Sequence, residues 1–218
     1  MRLAKDGVPV VIHDATLRRT GLTSGEVAGM TSRQLANVNA GRWFNRANPS
    51  LACAEYEHQR VPALSDVFQF IRDKPGVIYV ELKIDGADSS SDLVRAVADT
   101  IVPFGFQARF VVVSFDLPAV TEIKSLNSSI RTGALFAPQR RPNVSWRTHS
   151  ILNAATECGA DELLPHRLLA RPKLLEKARG RNLPVVVWTV DDPAWVARAK
   201  TLGIHALITN DPAKLLNI

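Results

Sequence analysis

The chain lacks any long apolar run. Its longest ones, such as Val185 to Trp188, fall far short of a membrane span, and the opening residues MRLAKDG carry no signal-peptide pattern. It reads as soluble, with no transmembrane segment. Cysteine is scarce: Cys53 and Cys158 stand far apart without metal-type spacing, which argues against a zinc site or a disulfide framework and fits a reducing cytoplasm. No glycine-rich dinucleotide turn follows an early strand, and Gly21, Gly25 and Gly29 have the spacing of turn residues. Serine elbow, HExxH helix and P-loop are all missing. There is also no basic stripe. The formal charge of +6 and the pI near 9.7 favour anionic ligands by long-range steering, but the densest basic stretch, Arg140 to Arg147, holds three arginines and reads as a solvated loop. No nucleic-acid partner is expected.

What is present is a rhythm. With 218 residues, 46% of them hydrophobic, the chain can bury one core, so a single domain over 1–218 is expected. Short apolar runs at Val8–Ile12, Val77–Leu82, Phe110–Val113, Thr132–Phe136, Asp161–Leu164, Pro184–Trp188 and Ala206–Ile208 read as strands. Helical periods fall at Leu64–Arg72, Ser91–Val102, Leu117–Leu126, Ser150–Cys158, Pro172–Arg181, Pro193–Leu202 and Pro212–Leu216. Asp192-Pro193 and Asp211-Pro212 have the chemistry of helix starts, and Gly203 that of a helix end. Strand alternating with helix predicts an α/β fold with a parallel sheet, and the spacing is that of a (β/α) barrel one strand short of eight. The stretch 20–62 breaks the rhythm. It contains a short helical segment, TSRQLANV, and an irregular tract, and it reads as an insertion close to an active site.

Three places carry possible chemistry. In VIYVELKID, alternation puts Glu81 and Lys83 on one face at the carboxyl end of a strand. They form either a structural ion pair or a metal-binding carboxylate beside a lysine for an anionic group. His13 ends the first strand at the equivalent level and can exchange protons near neutral pH; Asp14 beside it suits orienting the loop or capping a turn. Trp188 ends VVVWTV and either packs or walls a pocket, packing being favoured by its surroundings. Of the other histidines, His166 in LLPH follows a strand and stands out most.

KDGVPVVIHDATLRRT, GRWFN with VPALSDVF, YVELK, VVVSF, VVVWTV and ALITNDP together resemble, in order and over nearly the whole chain, the glycerophosphodiester phosphodiesterases. The resemblance implies a TIM (β/α)8 barrel and hydrolysis of glycerophosphodiesters to an alcohol and glycerol 3-phosphate. It implies a divalent metal, Ca2+ or Mg2+, held by three carboxylates, and two histidines as general acid and base. Carried over by motif, His13 is the second catalytic histidine, Glu81 the third metal carboxylate, Lys83 the substrate lysine and Trp188 the tryptophan beside the pocket.

One departure stands out. The family's amino-terminal His-Arg-Gly strand, the helix after it and the Glu-x-Asp that precedes the segment matching MRLAKDG have no counterpart here. The expectation is therefore a barrel missing its first strand and helix, with weak or no turnover by the 218-residue chain. Such a chain is either a truncated phosphodiesterase or a non-catalytic remnant that keeps an anion-binding pocket.

Overall fold

A computed structural model describes residues 1–84, 90–105, 107–138 and 147–216. Its contacts divide it into two units, Met1–Phe110 and Val111–Ile218.

The first unit opens with an antiparallel hairpin, β1 (Arg2–Leu3) against β2 (Pro9–Val10), in the register Arg2↔Val10 and Leu3↔Pro9. The Val8–Ile12 run is thus not a strand entering a parallel sheet. Gly7 takes a left-handed φ of +77°, Ala4 donates to the Val8 carbonyl (2.9 Å), and Pro9 has no N–H to extend a ladder on that side. Beyond Val10 the chain pairs only briefly, through a bridge to Ala63 and a bond from Val11 N to Pro62 O (2.9 Å).

The 20–62 stretch is a folded appendage whose Val27, Leu35 and Val61 share a small core with Ala4, Val10, Ile12 and Leu17. Helix α1 (Ser32–Leu35) begins at a capping box of Thr31 and Gln34, and α2 (Arg42–Ala47) carries Trp43 and Phe44. Phe44 meets Tyr56 edge to face at 5.5 Å. Gly41 is required there, because a Cβ would lie 1.8 Å from the Tyr56 carbonyl oxygen. Helix α3 (Leu64–Ile71) buries Leu64 and Phe68, whose ring packs 4.4 Å from Phe110 and 5.3 Å from Phe104. Strand β3 (Ile78–Leu82) buries Val80 and Leu82 and leaves the alternate positions Tyr79 and Glu81 partly exposed. Helix α4 (Ser90–Ile101) follows, with Leu93, Val94, Val97 and Ile101 buried at helical spacing.

In the second unit, β4 (Phe110–Ser114), β5 (Arg131–Phe136) and β6 (Glu162–Pro165) run parallel, Val112 opposite Thr132 and Ala134 opposite Leu163. Gly133 permits this packing, since a Cβ would stand 2.4 Å from the Leu164 Cδ1. Two parallel bridges, Leu163 to Val185 and His166 to Trp188, continue the order to β7 (Val186–Val187), which pairs in parallel with β8 (Ala206–Leu207). The connecting helices are α5 (Leu117–Leu126), α6 (Thr148–Glu157), α7 (Pro172–Arg179), α8 (Ala194–Leu202) and α9 (Pro212–Leu216). Val120, Phe136, Leu152, Leu163, Leu174 and Val187 anchor their shared core.

The helix punctuation at Asp211 and Gly203 is as the sequence implies, whereas α8 begins one residue later than expected, with Pro193 itself at the N-cap position and no side-chain cap. Asp192 accepts from Ala194 N (3.0 Å), Asp211 from Lys214 N (3.1 Å), and Gly203 is left-handed at φ +66°. At the strand starts, buried Glu162 pairs with Arg131, and Asp161 accepts from both Lys124 Nζ and Thr132 N at 2.7 Å. Most of the arginine stretch 140–147 lies outside the described residues. Among the described residues, no helix is long and apolar enough to cross a membrane.

Candidate functional site

Three of the sequence-predicted residues come together in the first unit. His13, Glu81 and Lys83 line one cavity of about 310 Å3, whose apolar wall includes Ile12, Leu64, Phe68 and Val80. Their convergence follows from local folding. Residues 1–3 run beside β3, the Met1 amino group donating to the Glu81 carbonyl and Lys83 N donating to the Met1 carbonyl (3.0 Å). The hairpin turn then returns the chain past Val10 and delivers His13 to the level of Lys83.

The side chain of His13 is 64% exposed and lies in a bend three residues past β2. It therefore does not end a buried strand. Its Nδ1 is 2.7 Å from Asp14 Oδ1, and Asp14 is gripped on both oxygens by Arg19, Nε to Oδ2 at 2.7 Å and one terminal nitrogen to Oδ1 at 2.9 Å. The Arg19 guanidinium holds the Asp14 carboxyl down at about 2 against the opposing effect of burial, and His13 adds to the lowering. An ionised carboxylate accepts only, so the shared proton belongs to His13 Nδ1 and the neutral ring keeps its lone pair on Nε2. Arg19 in turn lies 5.2 Å above the ring of Trp43, which ties the histidine to the appendage.

Lys83 Nζ is 2.7 Å from Glu81 Oε1, with the side chains 16% and 33% exposed. The ion pair that the sequence left open against a ligand role is thus formed. Among the described residues, no three His, Cys, Asp or Glu side chains gather as a metal site. Hard divalent cations take several oxygen ligands, so this donor set does not fit Ca2+ or Mg2+.

Sequence reading missed two arginines. Arg19, five residues after Asp14 in HDATLRR, left a faint signal in that short spacing. Arg2 left none: it is 3% exposed, and its Nε donates to the His13 carbonyl at 2.9 Å.

In the second unit, Trp188 follows β7 and packs edge-on against Phe115 (5.4 Å) and His166 (5.1 Å). Its Nε1–H donates to the Leu164 carbonyl at 2.7 Å, so within this unit it is a packed and hydrogen-bonded residue. His166 Nδ1 accepts from Leu168 N at 3.3 Å, and burial followed by the charge of Arg167 lowers its pKa. A second cavity of about 500 Å3 opens beside His166, lined also by Arg167, Asp191, Trp195 and Lys214.

Comparison with known proteins gives these features a context. The profile of the glycerophosphoryl diester phosphodiesterase family matches residues 1–214. The glycerophosphodiester phosphodiesterase of Caldanaerobacter subterraneus subsp. tengcongensis is 27% identical over 218 residues, all of this chain and 83% of that protein. Among solved structures, a phosphodiesterase of Oleispira antarctica in complex with the product sn-glycerol-3-phosphate matches with a TM-score of 0.83 at 20% identity, covering 99% of this chain and 81% of that one. A glycerophosphodiester phosphodiesterase of Agrobacterium tumefaciens matches with a TM-score of 0.76 at 23% identity, covering 100% of this chain and 84% of that one. The α/β fold is thus that of the TIM-barrel phosphodiesterases. The chain belongs to the glycerophosphoryl diester phosphodiesterase family, a family of phosphoric diester hydrolases.

Proposed function

We propose that the site around His13, Glu81 and Lys83 serves hydrolysis of a glycerophosphodiester to an alcohol and glycerol 3-phosphate. The observation that carries this reading is that one cavity is lined by a histidine held at Nδ1 by a carboxylate 2.7 Å away and by a half-buried ammonium. Lys83 supplies the counter-charge for the phosphate. His13 exchanges the proton at Nε2, taking it from the attacking water or returning it to the oxygen of the departing alcohol, while Asp14 holds the ring and offsets the charge of the imidazolium. Water adds to phosphorus, the bond from phosphorus to the alcohol oxygen breaks, and the proton count closes through His13. The two free cysteines suit a reducing cytoplasm.

A divalent metal enters none of these steps, because the described residues do not fit one. The same observation favours a second reading, an anion-binding module with little turnover. Release of glycerol 3-phosphate from glycerophosphocholine, assayed with and without Mg2+ and Ca2+ for the wild type, His13→Asn and Lys83→Met, tests both. Turnover that both substitutions remove supports the hydrolase. Binding of sn-glycerol 3-phosphate without turnover supports the module, and a chain that neither binds nor turns over refutes both.

A further inference from the structure

Among the described residues of the first unit, Arg2 is the one buried arginine, at 3% exposed. A guanidinium taken out of water is costly unless its donors are used. Two of its hydrogen bonds go to main-chain carbonyls of site residues: Nε to His13 O at 2.9 Å and one terminal nitrogen to Lys83 O at 3.4 Å. These acceptors lie 11 and 81 residues away, at the bend after β2 and at the end of β3. On its far side the His13 bend is held through Asp14 and by the bond from Val27 N to Ala15 O (2.9 Å). On its near side the main-chain bonds are Val11 N to Pro62 O and a longer one of 3.2 Å from Ile12 N to Val10 O, and the His13 ring itself is largely in solvent.

We propose that Arg2 is a positioning residue, a planar guanidinium that sets the spacing between the proton-exchanging His13 and the anion-binding Lys83. The roles of those two residues rest on the reading above; the spacing does not. Arginine suits the task because its rigid fork offers donors in fixed directions from separate atoms, whereas a lysine ammonium concentrates its three donors on one atom at the end of a flexible stem. The β1–β2 hairpin aims it. Arg2 stands opposite Val10 in the register, on the same short ribbon that delivers His13.

The test compares the wild type with Arg2→Met and Arg2→Lys by NMR of labelled histidine rings and lysine side chains, with sn-glycerol 3-phosphate as the titrant. His58, exposed in the same unit, is the internal control. In Arg2→Met the His13 and Lys83 signals should move while His58 keeps its wild-type position, and Arg2→Lys should fall between the two. Where the wild type turns over, Arg2→Met should lower kcat by roughly ten- to a hundredfold with KM changed by less than about threefold, as expected for displaced reacting groups. His13 signals unmoved in a folded variant would overturn the proposal, as would His13 and His58 moving together with a falling melting temperature, which marks a merely structural role. If Arg2→Met does not fold, Arg2→Lys decides by the same signals. A wild type without turnover removes the hydrolase reading only, since the two labelled signals still report the spacing.

Discussion

Removing the carboxylate at position 81 should strengthen, not weaken, the binding of sn-glycerol 3-phosphate in metal-free buffer. The reason lies in the 2.7 Å contact between Lys83 Nζ and Glu81 Oε1, which engages the ammonium that the phosphate needs. Charge-assisted hydrogen bonds of this kind contribute about 1.5–3 kcal/mol net, and a neutral amide acceptor retains about half of that. Glu81→Gln therefore releases about 1 kcal/mol of competition. It also removes a carboxylate that repels the phosphate dianion, a second contribution of similar size at a partly exposed site. Together these give a gain of about 5- to 30-fold in affinity, since a factor of ten is about 1.4 kcal/mol. Isothermal titration in EDTA measures it directly, with Lys83→Met as the variant that should lose binding. Affinity in Glu81→Gln equal to or below the wild type would refute the reasoning, and would mean that the phosphate does not use Lys83.

Asp14 sits at about 2 in the folded chain against an ordinary 3.8, so its contribution to stability is complete above pH 4 and is lost as the pH falls toward 2. Because Arg19 is 51% exposed, solvent screening cuts that contribution to about 1 kcal/mol, and urea melts of Asp14→Asn should show this deficit at pH 6 and almost none near pH 2. Trp188→Phe deletes the bond to the Leu164 carbonyl and should lower stability by about 1–2 kcal/mol, read from denaturant midpoints. Gly41→Ala must push apart the appendage where a Cβ would meet the Tyr56 carbonyl at 1.8 Å; a loss of about 1–3 kcal/mol with altered Trp43 fluorescence is expected, and an unchanged spectrum would contradict it.

Where burial and period act within one element, the sequence was readable. Helices Leu117–Leu126 and Pro212–Leu216 have the bounds that their periodicity implies, and the parallel pairing of β4, β5 and β6 follows from uninterrupted apolar runs. The opening hairpin was misread because Val8–Ile12 is apolar enough for a buried strand, while the reversal depends on one left-handed glycine and one proline. The alternation that placed Glu81 and Lys83 on one side of β3 holds as a contact, but alternation alone could not decide between an ion pair and a ligand. Arg2 was illegible for a different reason. The two acceptors that tie it to His13 and Lys83 are backbone carbonyls, which every residue carries, so no residue type at the far end marks those contacts.

The two arginines also act on His13 in separable ways. Arg19 reaches the ring through Asp14 across a short, exposed segment, and its effect is electrostatic: it grips both oxygens of the carboxylate and so holds in place the group that meets His13 Nδ1. Arg2 reaches the backbone from a buried position, and its effect is geometric. Salt should therefore weaken the first and spare the second, because screening falls on the exposed pair. At roughly 1 M salt, where charges are screened within about 3 Å, the His13 ring should lose its fixed orientation while the main chain of the bend stays in place. Loss of both together would mean that the two arginines act as one network and that the division into an electrostatic and a geometric partner is wrong.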